Sequence, residues 1–256
     1  MKTMRPRIAI PVPHSGDPEY AARALPQYER AVEMAGGEPV RIPLDKTAAE
    51  VKQLIECCDA VLLPGSPADV DPAKYDAARD PKTADADSGR DTADELLLRD
   101  AYKMRKPVLG ICYGLQILNV YRAGSLIQHI ESPVNHEAGR KVLVAHTVEV
   151  SPDSKLAEVV RDTGADLDKM PVNSSHHQSA DRVGEGLRVV AHCREDGVVE
   201  AVEGTAPDHF VLAVQWHPER SVDEDAPSRA IFSALVNAAE ARHRELVGKL
   251  ESSTSS

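Results

Sequence analysis

Several features that mark large classes of proteins are missing from this chain of 256 residues. No apolar run approaches the length of a membrane span. No cluster of Lys and Arg interrupts the net charge of −11, so a nucleic-acid or anionic-membrane partner is not expected. The sequence therefore favours a protein with a small-molecule ligand.

Cysteine is also scarce, with four residues at positions 57, 58, 112 and 193. They form no Cys-x-x-Cys motif, and the adjacent Cys57 and Cys58 are poor disulfide partners for each other. We expect Cys57, Cys58 and Cys193 to be packing residues, and no metal or cofactor is predicted. The basic segment 1–7 lacks the apolar region of a signal peptide. The expected location is a reducing cytoplasm.

The first half of the chain alternates between strand and helix patterns. Strands are predicted at 7–12, 39–43, 60–63 and 106–111, and helices at 19–35, 47–57 and 91–104. Such alternation is typical of an α/β protein with a mostly parallel sheet covered on both faces.

The second half adds antiparallel elements to this pattern. Strands are predicted at 142–148, 170–173, 187–193, 197–202 and 210–216, and helices at 154–160 and 225–246. Asp196-Gly197 is a hairpin turn signal. The order of segments favours one domain over residues 1–250, followed by a disordered tail at 251–256.

Residues 64–90 show no convincing periodicity. A segment of this length inside a compact domain is usually a functional loop or a disordered insert. Because it follows the carboxyl end of a predicted strand, where open α/β sheets bind ligands, we favour a binding loop.

Cys112 lies where a strand pattern changes to a helix pattern. Glycines at positions 110 and 114 bracket it, giving the Gly-x-Cys-x-Gly version of a nucleophile elbow. Backbone N–H groups at the helix start would favour the thiolate, and the N–H of Tyr113 would be an oxyanion donor. The alternative is a small apolar cysteine that ends a core strand.

A base for this nucleophile is predicted at His217-Pro218-Glu219, directly after an apolar strand. Residues two apart in an extended segment project to the same side, so Glu219 can orient the His217 imidazole. A solvated surface pair is the alternative. His176 and His177 are other candidate bases, but no carboxylate stands at a comparable spacing from them.

With these motifs the chain resembles class I glutamine amidotransferase-type hydrolases, and most closely their gamma-glutamyl-gamma-aminobutyrate hydrolase branch. The resemblance covers about residues 7–239. It rests on Leu-Leu-Pro-Gly-Ser-Pro at 62–67, Gly-Arg-Asp at 89–91, Gly-Ile-Cys-Tyr-Gly-Leu-Gln at 110–116, Gly-Ser-Leu at 124–126, Val-Asn-Ser-Ser-His-His-Gln at 172–178, Asp-Gly-Val-Val-Glu-Ala at 196–201 and Gln-Trp-His-Pro-Glu at 215–219.

The resemblance implies a flavodoxin-like three-layer α/β/α sandwich with a small added antiparallel portion, and a triad of Cys112, His217 and Glu219. It also implies a second oxyanion donor in the Pro-Gly-Ser-Pro turn. Because the prolines lack N–H groups, Gly65 or Ser66 remains, and we choose Gly65.

Five further residues are expected to contact the substrate: Gln116, Arg90, Asn173, Ser174 and His176. Arg90 could bind a substrate carboxylate with two hydrogen bonds, and its alternative role is that of an exposed loop arginine. Tyr113 replaces the arginine common after the nucleophile in that branch, and Ala123-Gly124-Ser125 replaces Gly-Gly-Ser. A tyrosine there also resembles glutaminase domains of biosynthetic amidotransferases.

The predicted function is therefore hydrolysis of a gamma-glutamyl amide, such as gamma-glutamyl-GABA or a gamma-glutamyl polyamine, through a thioester that releases glutamate. Carboxylates at Asp69, Asp71 and Asp85 could attract a cationic amine. Two alternatives stay open: a glutaminase subunit that supplies a separate synthase, and a non-catalytic ligand-sensing module. A homodimer is as open as a monomer.

Overall fold

A computed structural model describes residues 5–254, with side chains as far as residue 246. The strands are β1 (Arg7–Pro11), β2 (Glu38–Ile42), β3 (Ala60–Leu63), β4 (Val108–Ile111), β5 (Leu126–Ile127), β6 (His146–Val150), β7 (Met170–Val172), β8 (Ser179–Ala180), β9 (Leu187–Cys193), β10 (Val199–Gly204) and β11 (Val211–Val214). The helices are α1 (Pro18–Met34), α2 (Ala48–Glu56), α3 (Ser88–Met104), α4 (Tyr113–Tyr121), α5 (Lys155–Val160) and α6 (Ala226–Thr254).

One sheet of nine strands runs in the order β2-β1-β3-β4-β11-β10-β9-β6-β7. The first five strands pair in parallel, and the last four extend the sheet with antiparallel pairs. A separate antiparallel pair joins β5 to β8. The predicted mostly parallel sheet with an antiparallel addition is thus confirmed, and the addition forms one edge of the main sheet.

Helices cover both faces of this sheet. Tyr28 of α1 and Phe232 of α6 belong to one buried apolar cluster, and Ile55 of α2, Leu97 of α3 and Leu118 of α4 belong to another. Because β3, β4 and β11 are buried along their whole length, each face of the central strands contributes to a separate core. The predicted three-layer α/β/α sandwich is confirmed.

The strand register brings two distant parts of the chain together. Val214 at the end of β11 pairs with Ile111 at the end of β4, and the Cys112 N–H donates to the Val214 carbonyl at 2.8 Å. The residues that follow β4 and β11 therefore lie side by side at the carboxyl ends of these strands. In sequence they are more than a hundred positions apart.

Helix α3 begins three residues earlier than predicted. Asp87 is its N-cap and accepts hydrogen bonds from the N–H groups of Gly89 and Arg90. Segment 64–87 contains no strand or α-helix and has a 3-10 turn at Pro72–Tyr75. A capping box formed by Thr47 and Glu50 begins α2.

The two largest errors in the predicted ends lie at residues 142 and 246. The strand predicted from residue 142 begins at His146, and the side chains at 142–144 are exposed rather than paired. Helix α6 continues to Thr254, so positions 251–254 of the predicted disordered tail are helical, while 255 and 256 lie outside the described residues. Within the described part of the chain, no helix combines the length and apolar character needed to cross a membrane.

Candidate active site

Cys112 is held on a sharp backbone turn between β4 and α4. Its φ of 54° and ψ of −106° lie where residues with a Cβ are uncommon, and strain of this kind tends to occur at functional sites. A Cβ at Gly114 would stand 2.1 Å from the carbonyl oxygen of Leu63 on β3. The second glycine of the motif therefore lets the new helix start directly against a neighbouring strand, as the elbow motif predicts.

His217 and Glu219 form a buried pair after β11. The imidazole Nδ1 lies 2.8 Å from Glu219 Oε1, and both side chains are almost wholly inaccessible to solvent. Because the carboxylate can only accept, Nδ1 carries the proton and Nε2 keeps a free lone pair. The predicted pairing is present, and its geometry suits a base.

Asn173 fixes the backbone of this histidine. Its Oδ1 accepts from the His217 N–H at 2.9 Å, and its Nδ2 donates to the His217 carbonyl at 2.8 Å. These two bonds occupy the buried amide, so the predicted substrate contact of Asn173 is corrected to a positioning role. No local sequence signal announces a bond between residues 44 positions apart.

The turn after β3 lies against both the thiol and the imidazole. A Cβ at Gly65 would stand 2.9 Å from His217 Cε1 and 3.6 Å from Cys112 Cβ. The three segments that follow β3, β4 and β11 therefore meet at the carboxyl ends of these parallel strands.

The choice of Gly65 as oxyanion donor is corrected. Its N–H donates to the Tyr28 hydroxyl at 3.0 Å in a buried contact. The Ser66 N–H, in contrast, has no acceptor among the described residues. The N–H of Tyr113 faces the Cys112 sulfur. The N–H groups of Ser66 and Tyr113 are therefore the candidate oxyanion donors.

Burial controls the protonation of the nucleophile. It raises the pKa of Cys112 to about 12, and it outweighs the lowering by Arg220 and by the Tyr113 N–H. Burial also lowers the pKa of His217, although Glu219 acts in the opposite direction. The N–H at the helix start lowers the pKa of Cys112 as expected, but the larger effect of burial favours a neutral thiol beside a neutral imidazole.

Arg90 does not face the substrate region. It is fully buried, its Nε lies 2.8–2.9 Å from both carboxylate oxygens of Asp94, and it donates to the carbonyls of Pro13 and Pro64. Its predicted contact with a substrate carboxylate is corrected to an anchor for the turn that begins at Pro64. The pair is spaced i,i+4 on α3, a signal that the late predicted start of this helix concealed.

The Ser174 hydroxyl and one ring nitrogen of His176 are likewise bonded to the protein. Ser174 Oγ donates to the His136 carbonyl at 2.7 Å, and His176 Nδ1 lies 3.0 Å from the Gln178 carbonyl. Both side chains are buried, so their predicted substrate contacts are also corrected. Gln116 donates from Nε2 to the Gln178 carbonyl at 3.1 Å, while its Oε1 accepts no hydrogen bond from the described chain.

The acidic loop residues serve largely to hold the loop. Asp69 accepts from the Ala84 N–H at 2.6 Å and lies 3.1 Å from His177 Nε2. Asp71 caps the 3-10 turn. Asp85 remains exposed. A cation-attracting role for Asp69 and Asp71 is therefore not supported by their contacts.

Sequence reasoning missed the arginine that follows Glu219. Arg220 donates from Nη1 to Ser175 Oγ at 2.8 Å and approaches Glu219 to 3.5 Å. After burial, it has the largest influence on the pKa of Cys112, and that influence lowers it. Its position beside His-Pro-Glu was the available signal.

A second buried histidine group lies nearby. Glu200 on β10 is surrounded by His136, His146 and His176, and the first and last of these could hold a metal ion together with Glu200. No metal was predicted from sequence, because these residues come from separate segments.

Comparisons with known proteins place this chain among related sequences. The sequence model described as Peptidase C26 matches residues 12–219. The chain is 40% identical over 216 residues to "Putative glutamine amidotransferase Rv2859c" of Mycobacterium tuberculosis, covering 83% of this chain and 66% of that protein. It is 35% identical over 226 residues to the gamma-glutamyl-gamma-aminobutyrate hydrolase PuuD of Escherichia coli, covering 83% and 84%.

The fold also has a solved counterpart. The crystal structure of a "putative gmp synthase subunit a protein" from Thermoplasma acidophilum superposes with a TM-score of 0.66 at 16% identity, covering 96% of this chain and 98% of that one. At this identity the likeness concerns the fold alone. The sequence matches carry the assignment, and the chain belongs to the Peptidase C26 family of glutamine amidotransferase-like proteins.

Proposed function

We propose that this protein is a cysteine hydrolase that cleaves the gamma-glutamyl amide bond of a small gamma-glutamyl amine and releases glutamate. One observation carries the proposal: the Cys112 elbow, the His217–Glu219 pair and the turn at Gly65 lie together at the carboxyl ends of the parallel strands. The similarity to the hydrolase PuuD supports the same reaction class.

In the proposed reaction, His217 Nε2 takes the thiol proton as Cys112 attacks the side-chain amide carbonyl. A neutral pair suits this step, because the thiolate forms only when the electrophile is in place. The resulting imidazolium is stabilised by Glu219, and it then gives its proton to the departing amine.

The tetrahedral oxyanion would accept hydrogen bonds from the N–H groups of Tyr113 and Ser66. Donors fixed in the backbone need no rearrangement when the charge develops. Once the amine has left, His217 removes a proton from water, which attacks the gamma-glutamyl thioester. Glutamate leaves and the thiol is restored.

We assign recognition of the substrate's α-carboxylate to Arg220 rather than Arg90. Arg220 is half-buried, and its charge lowers the pKa of Cys112. The guanidinium of Arg90, in contrast, donates to Asp94 and to the carbonyls of Pro13 and Pro64. The Arg220→Gln change should raise KM more than it lowers kcat. Arg23→Gln on the exposed side of α1 is the matched control.

A panel of gamma-glutamyl amides tests the proposal, with glutamate and ammonia measured separately. Glutamate without ammonia from gamma-glutamyl amines, lost in Cys112→Ala, supports the hydrolase. No glutamate from any member of the panel would refute it and would favour a ligand-sensing module.

A glutaminase is the second candidate, because the relative at 40% identity carries an amidotransferase name. The tyrosine that follows the nucleophile, Tyr113, also resembles the residue at this position in glutaminase domains. Ammonia released from glutamine only in the presence of a synthase would support this candidate. The identity of the amine is what the panel decides.

A further inference from the structure

Three histidines approach a single oxygen of Glu200. The distances to Oε1 are 2.9 Å from His146 Nε2, 3.4 Å from His136 Nδ1 and 3.5 Å from His176 Nε2. All four side chains are almost wholly buried. Glu200 therefore presents one carboxylate oxygen to three imidazole rings in a site closed to solvent.

Two of these rings have their outer nitrogen fixed by an acceptor. His136 Nε2 lies 2.8 Å from Asp196 Oδ2, and His176 Nδ1 lies 3.0 Å from the Gln178 carbonyl. The same Asp196 oxygen also accepts a hydrogen bond from the Ser132 hydroxyl, as expected of a carboxylate acceptor. Both outer nitrogens must therefore carry the proton.

The inner nitrogens of the same two rings then pose a conflict. If either ring is neutral, its inner nitrogen, His136 Nδ1 or His176 Nε2, directs a lone pair at a carboxylate. If both are protonated, two cations stand with ring centroids 4.9 Å apart in a buried site. Neither inner nitrogen nor Glu200 Oε2 has a hydrogen-bond partner among the described residues. A cation shared by these atoms would resolve the conflict.

The spacing agrees with a metal ion. Zinc–nitrogen and zinc–oxygen bonds of about 2.0–2.2 Å at a tetrahedral centre put neighbouring ligand atoms roughly 3.3–3.5 Å apart. The inner nitrogens of His136 and His176 lie 3.4 and 3.5 Å from Glu200 Oε1. An outer N–H donated to a carboxylate or a backbone carbonyl is also the usual support for a metal-bound histidine.

We propose that His136, His176 and Glu200 bind one divalent transition-metal ion of the zinc class. His136 contributes Nδ1, His176 contributes Nε2, and Glu200 contributes its carboxylate. His146 orients that carboxylate by donating from Nε2. A cavity of about 270 Å³ beside this group is lined by both ligand histidines, and we expect the ion to enter through it.

A neighbouring group shares His136 but suits a metal less well. His136, Cys193 and Asp196 also lie close together. There the His136 Nε2 and Asp196 already bind each other, and the Cys193 thiol contacts Glu195 at 3.3 Å. The ligand atoms of this second group already have partners in the protein, whereas several atoms around Glu200 have none among the described residues.

The experiment is a titration of the chelator-treated full-length chain with Zn²⁺ alone. A Cys112→Ala background removes the thiol beside His217 as a competing zinc ligand. Calorimetry and elemental analysis by mass spectrometry should give one ion per chain. His176→Gln and Glu200→Gln should each weaken binding by about 100-fold or more, in line with the loss of a ligand.

Two matched variants should retain one ion per chain. His177→Asn removes the adjacent histidine in the same loop, and Cys193→Ser removes the thiol of the neighbouring group. Absence of stoichiometric zinc in the background protein would overturn the proposal. So would unchanged binding in His176→Gln and Glu200→Gln, or loss of the ion in Cys193→Ser.

X-ray absorption on the zinc-loaded background protein keeps the proposal testable if the ligand variants fail to fold. The expected first shell contains nitrogen and oxygen ligands with the scattering pattern of imidazole and no sulfur. A shell without imidazole, or one with sulfur, would overturn the assignment.

Discussion

Two buried groups in this protein pair histidine with a carboxylate, and they differ in what the second ring nitrogen faces. His217 uses Nδ1 for Glu219, which leaves Nε2 available, and both His217 and Cys112 lie against Gly65. At Glu200, His136 and His176 have one nitrogen bonded to the protein and the other directed at the same carboxylate oxygen. The first arrangement suits proton transfer, and the second suits a bound cation.

The two groups also act on the same thiol. The charges of Glu219 and Glu200 both raise the pKa of Cys112. The comparison therefore predicts that removal of either carboxylate lowers this pKa, whereas only removal of Glu219 abolishes the orientation of the base. The following substitutions separate these effects.

The largest effect is expected from Cys112→Ala, which should lower kcat/KM for the best gamma-glutamyl amide by about 10⁴-fold or more because no covalent intermediate can form. Steady-state kinetics checks this. Cys57→Ala, an exposed cysteine, is the matched control and should keep full activity. Equal rates for the two variants would remove Cys112 from the mechanism.

Glu219→Gln should lower kcat by about 10²- to 10⁴-fold, because the imidazole loses its orientation and the stabilisation of its cation. The pH profile gives an independent sign. Burial lowers the pKa of His217, so activity that needs the neutral base should persist below the usual histidine range and fall only at lower pH. Because Glu219 raises this pKa, the residual activity of the variant should fall at still lower pH. A shift to higher pH would contradict the assignment.

Asn173→Ala should lower kcat by roughly 10- to 100-fold with a small change in KM, since the His217 backbone loses both of its side-chain hydrogen bonds and the base is misplaced. Asn119→Ala, also buried but distant from the thiol, controls for loss of stability, which thermal unfolding monitors. A change confined to KM would mean that Asn173 contacts the substrate after all.

The smallest effect on turnover is expected from Glu200→Gln, within about fivefold in kcat/KM, because this residue does not orient the base. In chelator-treated protein the same change should speed alkylation of Cys112 by iodoacetamide, since a negative charge that raises the thiol pKa is gone. A loss of turnover as large as that of Glu219→Gln would erase the distinction between the two groups.

The parts of this site that could be predicted from sequence are local ones. The elbow at Cys112 is specified by five consecutive residues, 110–114. His217 and Glu219 are two positions apart at the end of a strand. The hairpin at Asp196-Gly197 is equally local, with Gly197 at a φ of 76°. In each case the backbone geometry of a short segment determines which atoms meet.

The substrate contacts were predicted poorly because packing, not spacing, decides them. Arg90, Asn173 and Ser174 are polar residues in or beside motifs, yet each is bonded to a carbonyl or amide from a distant segment. The Gly65 N–H, expected as an oxyanion donor, instead donates to the hydroxyl of Tyr28, 37 positions away. Such pairings depend on how helices and loops settle on the sheet, which no short pattern records.

The most direct measurement is a rapid-quench reaction of the protein with a gamma-glutamyl amide, followed by mass analysis of its peptides. The account predicts an initial burst of one amine per chain and a glutamyl group on the peptide that contains Cys112, both absent from Cys112→Ala. A glutamyl group on another residue, or steady release of amine with no adduct and unchanged turnover in Cys112→Ala, would contradict it.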